Sequence, residues 1–425
     1  ELSDFYVFRK KYHKALKIQN KIEEKVGVSH DINFNKFLIY KGLDEYERCE
    51  REIKKLITTF PGNSDYYIHY ADFKFQYGED SLALKIYDQA LEVIPNNPNI
   101  LNELAQYYYN NHQNEKAKKL YEEIIQNPRF ELSKKRNILN KFRRLVEFNS
   151  ELYGFTKSIM MLAAEQHPYD PSINLIIADF TYDSKDYNES TRYYQRVIDS
   201  KPNDYNAWIQ LVTSFYNISE YEKMNKKSSE ALEFFPTQPS FYLYSGIARI
   251  QLEQYDLAVE ILEEGNDLLL STDKQLKAQF MSSLGDAYHA VGKHEESDGY
   301  FELSLELNPE NHFVLNNYAY YLSERNIQLE KAKKMSEKSN ALNPDEASFQ
   351  DTYGWILYKL GDYEKALNWL KKSELNGGNN SAIINEHIGD VYEKLGIKDK
   401  ALKYWKLANH IGGGSDKLLN KLKQE

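Results

Sequence analysis

The sequence predicts an all-α solenoid, a row of helix–turn–helix units stacked one upon the next. A pattern of Leu284, Gly285, Tyr288, Ser297, Phe301, Ser304 and Pro309 returns downstream as Gly354, Tyr363, Ala366 and Leu370, and upstream as Tyr70, Ala71, Gly78, Ala83, Tyr87, Ala90 and Pro95. Units aligned on their closing prolines start at His30, Ser64, Pro98, Asn137, Pro171, Tyr205, Pro239, Ala278, His312, Ala347 and Ala382. Successive starts are therefore 34 or 35 residues apart, except for two gaps of 39. A period between about 20 and 50 residues marks stacked repeats. The pattern runs through nearly all 425 residues, with no Ser/Gly-rich linker or low-complexity tract to divide it. One elongated domain is expected, each unit burying its apolar face only against its neighbours.

Side-chain size gives the pattern its physical sense. Two antiparallel helices approach closely only where side chains are small. Ala71, Ala105, Ala178, Gly246, Gly285, Ala319, Gly354 and Gly389 hold the eighth position of their units, and Ala83, Ala117, Ala258, Ala332, Ala366 and Ala401 hold the matching place in the second helix. Tyr87, Tyr121, Tyr194, Phe301 and Trp405 are large enough to fill the space between units. Pro61, Pro95, Pro202, Pro236, Pro309 and Pro344 end the second helix, because proline cannot continue one. Asn96-Asn97, Asn203-Asp204 and Asp345 follow these prolines and are candidates to cap the next helix.

These residues resemble the tetratricopeptide repeat (TPR), whose pattern is a small and a large residue in helix A, then Ala, an aromatic, a small residue and Pro in helix B. The resemblance implies a right-handed superhelix of about 11 full repeats, a partial first repeat and a C-terminal capping helix, roughly 23 helices with no strands. It also implies that the A helices line a concave wall.

Residues 1–126 read as N-terminal repeats. Ala15 matches the helix B alanine, so the first unit starts before residue 1, and the native chain is expected to continue upstream, where a signal or lipid anchor would lie. Cys49, the sole cysteine, stands where other repeats carry Ala and reads as a small buried packing residue; no intrachain disulfide can form. Residues 127–168 read as an irregular helical pair and the expected bend. Arg143 and Arg144 fall there where small apolar residues belong, while Ile138, Phe142, Leu145 and Val146 keep an apolar stripe. Residues 169–414 read as C-terminal repeats, with Ser271–Lys277 an insertion expected to lengthen a loop. Residues 415–425, with Leu418, Leu419 and Leu422, read as an amphipathic helix capping the last core face.

Several functions are disfavoured. A net charge of −10 opposes nucleic-acid binding, which needs a basic footprint. The basic cluster Lys134, Lys135, Arg136, Lys141, Arg143 and Arg144 reads as a solvated surface, the alternative being a contact for an acidic partner or lipid head group. No apolar run approaches the roughly 20 residues of a membrane span. HExxH is absent, and His289 and His294 are not at ligand spacing with a shared carboxylate. Glu386 and Asp390 share a helix face, but His387 is turned about 100° from Glu386, which disfavours a proton-transfer cluster. Gly412-Gly413-Gly414 lacks the flanking features of a phosphate loop and reads as a helix terminator. No catalytic residue, metal site or cofactor is expected.

A binding surface remains. The fifth, ninth and twelfth positions of helix A form one stripe: Asn102, Gln106 and Tyr109; Asn316, Tyr320 and Ser323; Asp351, Trp355 and Tyr358; Glu386, Asp390 and Glu393. Amides, carboxylates and aromatics suit an extended peptide. The expected partner site is Asn316, Asn317, Tyr320, Asp351, Trp355, Tyr358, Glu386 and Asp390, holding an extended segment or helix of another protein. Trp355 is expected to stand exposed as its anchor, although Trp355 and Tyr320 could equally cover neighbouring A helices. The carboxylate clamp of chaperone co-factors in this family uses Lys, Asn and Arg, whereas this groove is mostly neutral or acidic.

Leu315-Asn316-Asn317-Tyr318-Ala319-Tyr320, Asp351-Thr352-Tyr353-Gly354-Trp355, Glu386-His387-Ile388-Gly389-Asp390-Val391 and Tyr404-Trp405 are similar to bacterial cell-envelope TPR proteins, including outer-membrane lipoproteins that act as protease adaptors. That resemblance, over about residues 278–411, implies a periplasmic, outer-membrane-associated scaffold recruiting a protease or an assembly or secretion machine. A cytoplasmic adaptor or regulator is the alternative.

Overall fold

A computed structural model of the protein describes residues 2–128, 130–270, 272–412, 415 and 417–422. Among the described residues there are 25 α-helices, two short 3-10 turns and no strand. The chain divides into two compact units, residues 1–184 and 185–425.

In the first unit, α1 (Leu2–Phe8) and α2 (Tyr12–Val26) lead into three pairs: α3 (His30–Gly42) with α4 (Tyr46–Thr59), α5 (Ser64–Gln76) with α6 (Asp80–Val93), and α7 (Pro98–Asn110) with α8 (Asn114–Gln126). The unit ends with α9 (Leu132–Phe148), a 3-10 turn at Ser150–Leu152, α10 (Tyr153–Gln166) and α11 (Pro171–Asp183). The second unit opens with α12 (Tyr187–Ser200). It continues as α13 (Tyr205–Asn217) with α14 (Tyr221–Phe234), α15 (Pro239–Gln251) with α16 (Tyr255–Asp267), and α17 (Lys274–Ala290) with α18 (His294–Leu307). Then follow α19 (His312–Glu324) with α20 (Leu329–Leu342), α21 (Ala347–Lys359) with α22 (Tyr363–Leu375), α23 (Ala382–Lys394) with α24 (Lys398–Ile411), and the short α25 (Leu418–Leu422). The continuous repeat pattern is thus carried by two compact units. Their division falls inside a repeat, after Ser184. A stack held only by nearest-neighbour contacts has no central core to mark the boundary in sequence.

All but two of the first helices begin where the repeat register places them. The exceptions follow the two gaps of 39: α9 and α17 are 17 residues long, against 13 for α7 and α19. The insertion before Ala278 therefore extends a helix where a longer loop was expected. Lys274–Lys277 are helical, and the Asp273 side chain caps them by accepting from the Leu276 backbone N–H at 3.0 Å. Ser271 lies outside the described residues.

The small-residue positions mark the closest approaches. A β-carbon at Gly354 would lie 2.8 Å from Leu370 Cγ, and one at Gly389 would lie 2.4 Å from Trp405 Cδ1. Tyr87, Tyr121, Tyr194, Phe301 and Trp405 are buried, as the pattern requires. Cys49 is fully buried, and burial pushes its thiol up to about 12. Asn63, Asn97, Asp204 and Asn311 cap the helices that follow them. Asp345 does not, because Glu346 takes the cap position of α21 without a side-chain bond. Arg143 forks onto Asp179 and Asp183 at 2.9 Å each, so it joins α9 to α11 where the sequence had offered it as surface. In the second unit α13 touches α15, α15 touches α17, α19 touches α21, and α21 touches α23. The second helices of those pairs approach one another less closely, which puts the first helices on the inner side of the stack.

Candidate functional site

Three successive first helices, α19, α21 and α23, form the inner wall near the end of the second unit, and two adjoining hollows open on it. One, of about 300 Å³, is lined by Asn316, Asn317, Tyr320, Asp351, Thr352 and Ile383 among others. The second, of about 570 Å³, is lined by Tyr320, Trp355, Tyr358, Ile383, Glu386 and Asp390 among others. Tyr320 and Ile383 belong to both. All eight residues read from the sequence as a partner site are brought together on this wall, since their repeat positions place them on one stripe of each helix.

Trp355 is not the exposed anchor it was expected to be. It is 7% exposed. Its ring stacks on His387, with centroids 3.9 Å apart and planes 12° from parallel, and on Tyr358 at 4.7 Å. Its Nε1–H donates to Glu324 Oε1 at 2.6 Å, and the Lys359 ammonium lies 4.7 Å above the ring. The ninth position of α21 thus faces both neighbouring first helices, Glu324 on α19 and His387 on α23, and a large ring there is covered. Ser323, read as part of the outward stripe, is likewise buried, its hydroxyl donating to the Tyr320 carbonyl at 2.7 Å.

His387 is the hub beneath the wall. It turns away from Glu386, as its helical angle requires, and meets Asp351 of the preceding repeat, Nδ1 to Oδ1 at 2.9 Å. Burial works against charge on the ring. Asp351, through charge and hydrogen bond, and then Asp390 and Glu324 outweigh it, so the imidazole pKa is raised above its ordinary value. The buried pair locks α21 to α23. Beneath the first hollow, Asp286 accepts from the Tyr321 hydroxyl at 3.1 Å and from Asn317. Burial nevertheless pushes its carboxyl up to about 6.

The acidic end of the stripe is occupied by the chain itself. Glu386 accepts from the Ser415 backbone N–H at 2.6 Å and from Lys421 at 2.7 Å. Asp390 accepts from Lys421 at 2.6 Å and from Trp405 Nε1 at 2.9 Å. Leu418 of α25 is buried against the last repeat. The expected free carboxylates are therefore covered by the cap, because the segment that closes the apolar face also brings Lys421 over the polar one. These bonds hold the Glu386 carboxyl below its usual range in spite of burial. Gly412 ends α24 at a φ of 84°, a left-handed conformation suited to glycine; Gly413, Gly414 and residues 423–425 lie outside the described residues.

The sequence reading missed Ile383, Glu324, His387 and Lys421 as parts of this wall. Ile383 had a signal, since it lies three residues before Glu386 and so on the same face of the helix. His387 and Lys421 had none, because their partners come from a different repeat and from the cap. Among the described residues no helix is long and apolar enough to cross a membrane, and no three His, Cys, Asp or Glu side chains are grouped to hold a metal ion.

A tetratricopeptide repeat family model matches residues 174–410, more than half of the chain, and a second matches residues 86–119. The chain belongs to the tetratricopeptide repeat family. It is 26% identical over 157 residues to a TPR repeat-containing protein of Pseudomonas aeruginosa, a match covering 36% of this chain and 24% of that protein. It is 30% identical over 125 residues to a TPR repeat-containing protein of Methanocaldococcus jannaschii, covering 29% of this chain and 22% of that one. The chain thus spans about a quarter of the length of the curated relatives it matches. Among solved structures, a chain of the APC/C Cut9–Hcn1 hetero-tetramer superposes over 99% of this chain and 88% of its own, at 12% identity and a TM-score of 0.47. A TPR solenoid is a scaffold for protein–protein interaction, and the wall described above is where this one presents its polar and aromatic stripe.

Proposed function

We propose that this TPR protein is a non-enzymatic scaffold that holds an extended segment or helix of another protein against α19, α21 and α23. The observation that carries the reading is Ile383, 43% exposed where the two hollows meet. An apolar side chain beside Tyr320, rimmed by amides and carboxylates, has the form of an interface anchor. The Trp355–His387–Asp351 stack behind it holds the wall rigid, which lowers the ordering cost of binding. We further propose that the scaffold works in the bacterial cell envelope, recruiting a protease or an assembly or secretion machine. The support for that is the resemblance of residues 278–411 to envelope TPR proteins.

Ile383→Asp keeps the buried stack intact and tests the site without unfolding it. Partner capture from cells of the native organism should fall by about tenfold or more, as for a hot-spot residue, with the melting temperature unchanged. Capture retained at the wild-type level by the folded variant would overturn the site. Fractionation of the full-length native protein tests the location: recovery with the cell envelope is expected, and recovery in the cytosol would favour the alternative, a cytoplasmic adaptor or regulator.

A further inference from the structure

A third hollow, of about 240 Å³, opens in the first unit between α7 and α9, and its chemistry differs from that of the α19–α23 wall. It is lined by Asn99, Asn102, Lys134, Asn137 and Lys141 among others. Lys134 donates to Asn99 Oδ1 at 3.1 Å, and Lys141 donates to Gln106 Oε1 at 2.8 Å. Among the described residues no carboxylate lies within ion-pair distance of either ammonium. An ammonium has three donors, so each lysine keeps capacity beyond its single amide bond.

Two other enclosed lysines of the same unit have carboxylate partners, whereas the buried Lys135, beside Lys134 on α9, has only His167 Nε2 at 3.0 Å. Lys36 is paired with Glu23 at 2.5 Å and Glu52 at 3.1 Å, and Lys74 with Glu50 at 2.8 Å and Glu79 at 3.4 Å. Buried charges are normally matched in this way. Lys141 is not: burial lowers its pKa, and only the more distant Glu103 opposes the shift. Two partly enclosed cations therefore face a cavity whose lining supplies amides and no carboxylate, while Glu103, bonded to Asn102 at 3.2 Å, stands beside it.

We propose that this hollow binds an acidic segment of another protein, one side-chain carboxylate of which seats between Lys134 and Lys141. Asn99, Asn102 and Gln106 lie on one face of α7, and their amides offer both donors and acceptors to the backbone of such a segment. A carboxylate suits the site better than a phosphate group. Glu103 stands next to the hollow, and a phosphate carrying nearly two charges would meet more repulsion there than a single negative charge. The site is independent of the α19–α23 wall and stands or falls separately.

The test uses the full chain and two labelled peptides, acetylated and amidated at their ends, one with alternating Glu and Ser and the other with Gln in place of Glu. The Glu peptide should bind at least about tenfold more tightly than the Gln peptide, the margin of one charge-assisted contact, and should weaken as salt is raised. Lys134→Gln with Lys141→Gln should remove that margin, while Lys226→Gln, at an exposed position of the other unit, should leave it. A parallel measurement on the wild-type protein follows amine acetylation by mass spectrometry: the Glu peptide should slow modification of Lys134 and Lys141 and leave Lys226 unaffected. Equal binding of the two peptides, a margin that survives the double substitution, or no protection of these lysines would overturn the proposal. Displacement of the Glu peptide by inorganic phosphate at equal concentration would overturn it in favour of a phosphate site.

Discussion

The hollow between α7 and α9 and the wall across α19, α21 and α23 occupy corresponding faces of first helices, yet they are built in opposite ways. On the α19–α23 wall the buried charged groups have partners. Asp351 meets His387, Glu324 meets Trp355, and Lys421 covers Glu386 and Asp390. What is left open there is apolar, in Ile383 and the ring of Tyr320. In the α7–α9 hollow the charges themselves are left open, and Lys134 and Lys141 have only neutral amides for company. One repeat architecture can thus present either a rigid surface with an apolar anchor or an unfilled charged cavity. Which one results depends on whether the next repeat supplies counter-ions.

The comparison can be broken first at the residue with the largest structural role. Trp355→Ala should cost about 3–5 kcal/mol, as deletion of a buried aromatic does, read as an earlier urea midpoint for the second unit. A cost below about 1 kcal/mol would mean that the ring is a surface group and the wall is not locked as described. Gly354→Leu should cost about 1–3 kcal/mol by overpacking against Leu370. An equally stable variant would remove the close approach that sets the wall's register.

The His387–Asp351 pair sharpens the comparison through pH. The folded imidazole pKa is raised above 6.5, so the pair's contribution to stability is fully present below pH 6.5 and is lost as pH rises through the raised value. The stability gap between wild type and His387→Gln should therefore be widest near pH 5 and narrow toward alkaline pH. A gap that grows with pH would show that the ring is held neutral. The smallest effect is expected in the first unit. Lys134→Gln with Lys141→Gln should change stability by no more than about 0.5 kcal/mol in thermal melts, because neither side chain has a charged partner to lose. A large loss would mean that these lysines hold α9 in place and are not poised for a ligand.

Much of the α19–α23 wall was legible because its residues obey a helical period within each repeat and a repeat period between them. Asn316, Asp351 and Glu386 recur at the fifth position, and Tyr320, Trp355 and Asp390 at the ninth. Exposure was not legible, since it depends on how closely neighbouring first helices approach, and that distance buried Trp355 and left Ile383 open. The helical extensions before α9 and α17 were hidden because a fixed repeat length gives no sign of which element absorbs added residues. The uncompensated lysines were visible only as a basic cluster. The sequence does not reveal that Arg143 would find Asp179 and Asp183 while Lys134 and Lys141 would find only amides.

Site-specific photo-crosslinking at Ile383 tests the central claim most directly. A photoreactive residue placed there in the full-length native protein, and irradiated in its own cells, should form a covalent adduct with another protein. The same residue at Leu303, an equally exposed position on α18, should not. No adduct at Ile383, or the same adducts from both positions, would contradict the assignment of the α19–α23 wall as the partner site.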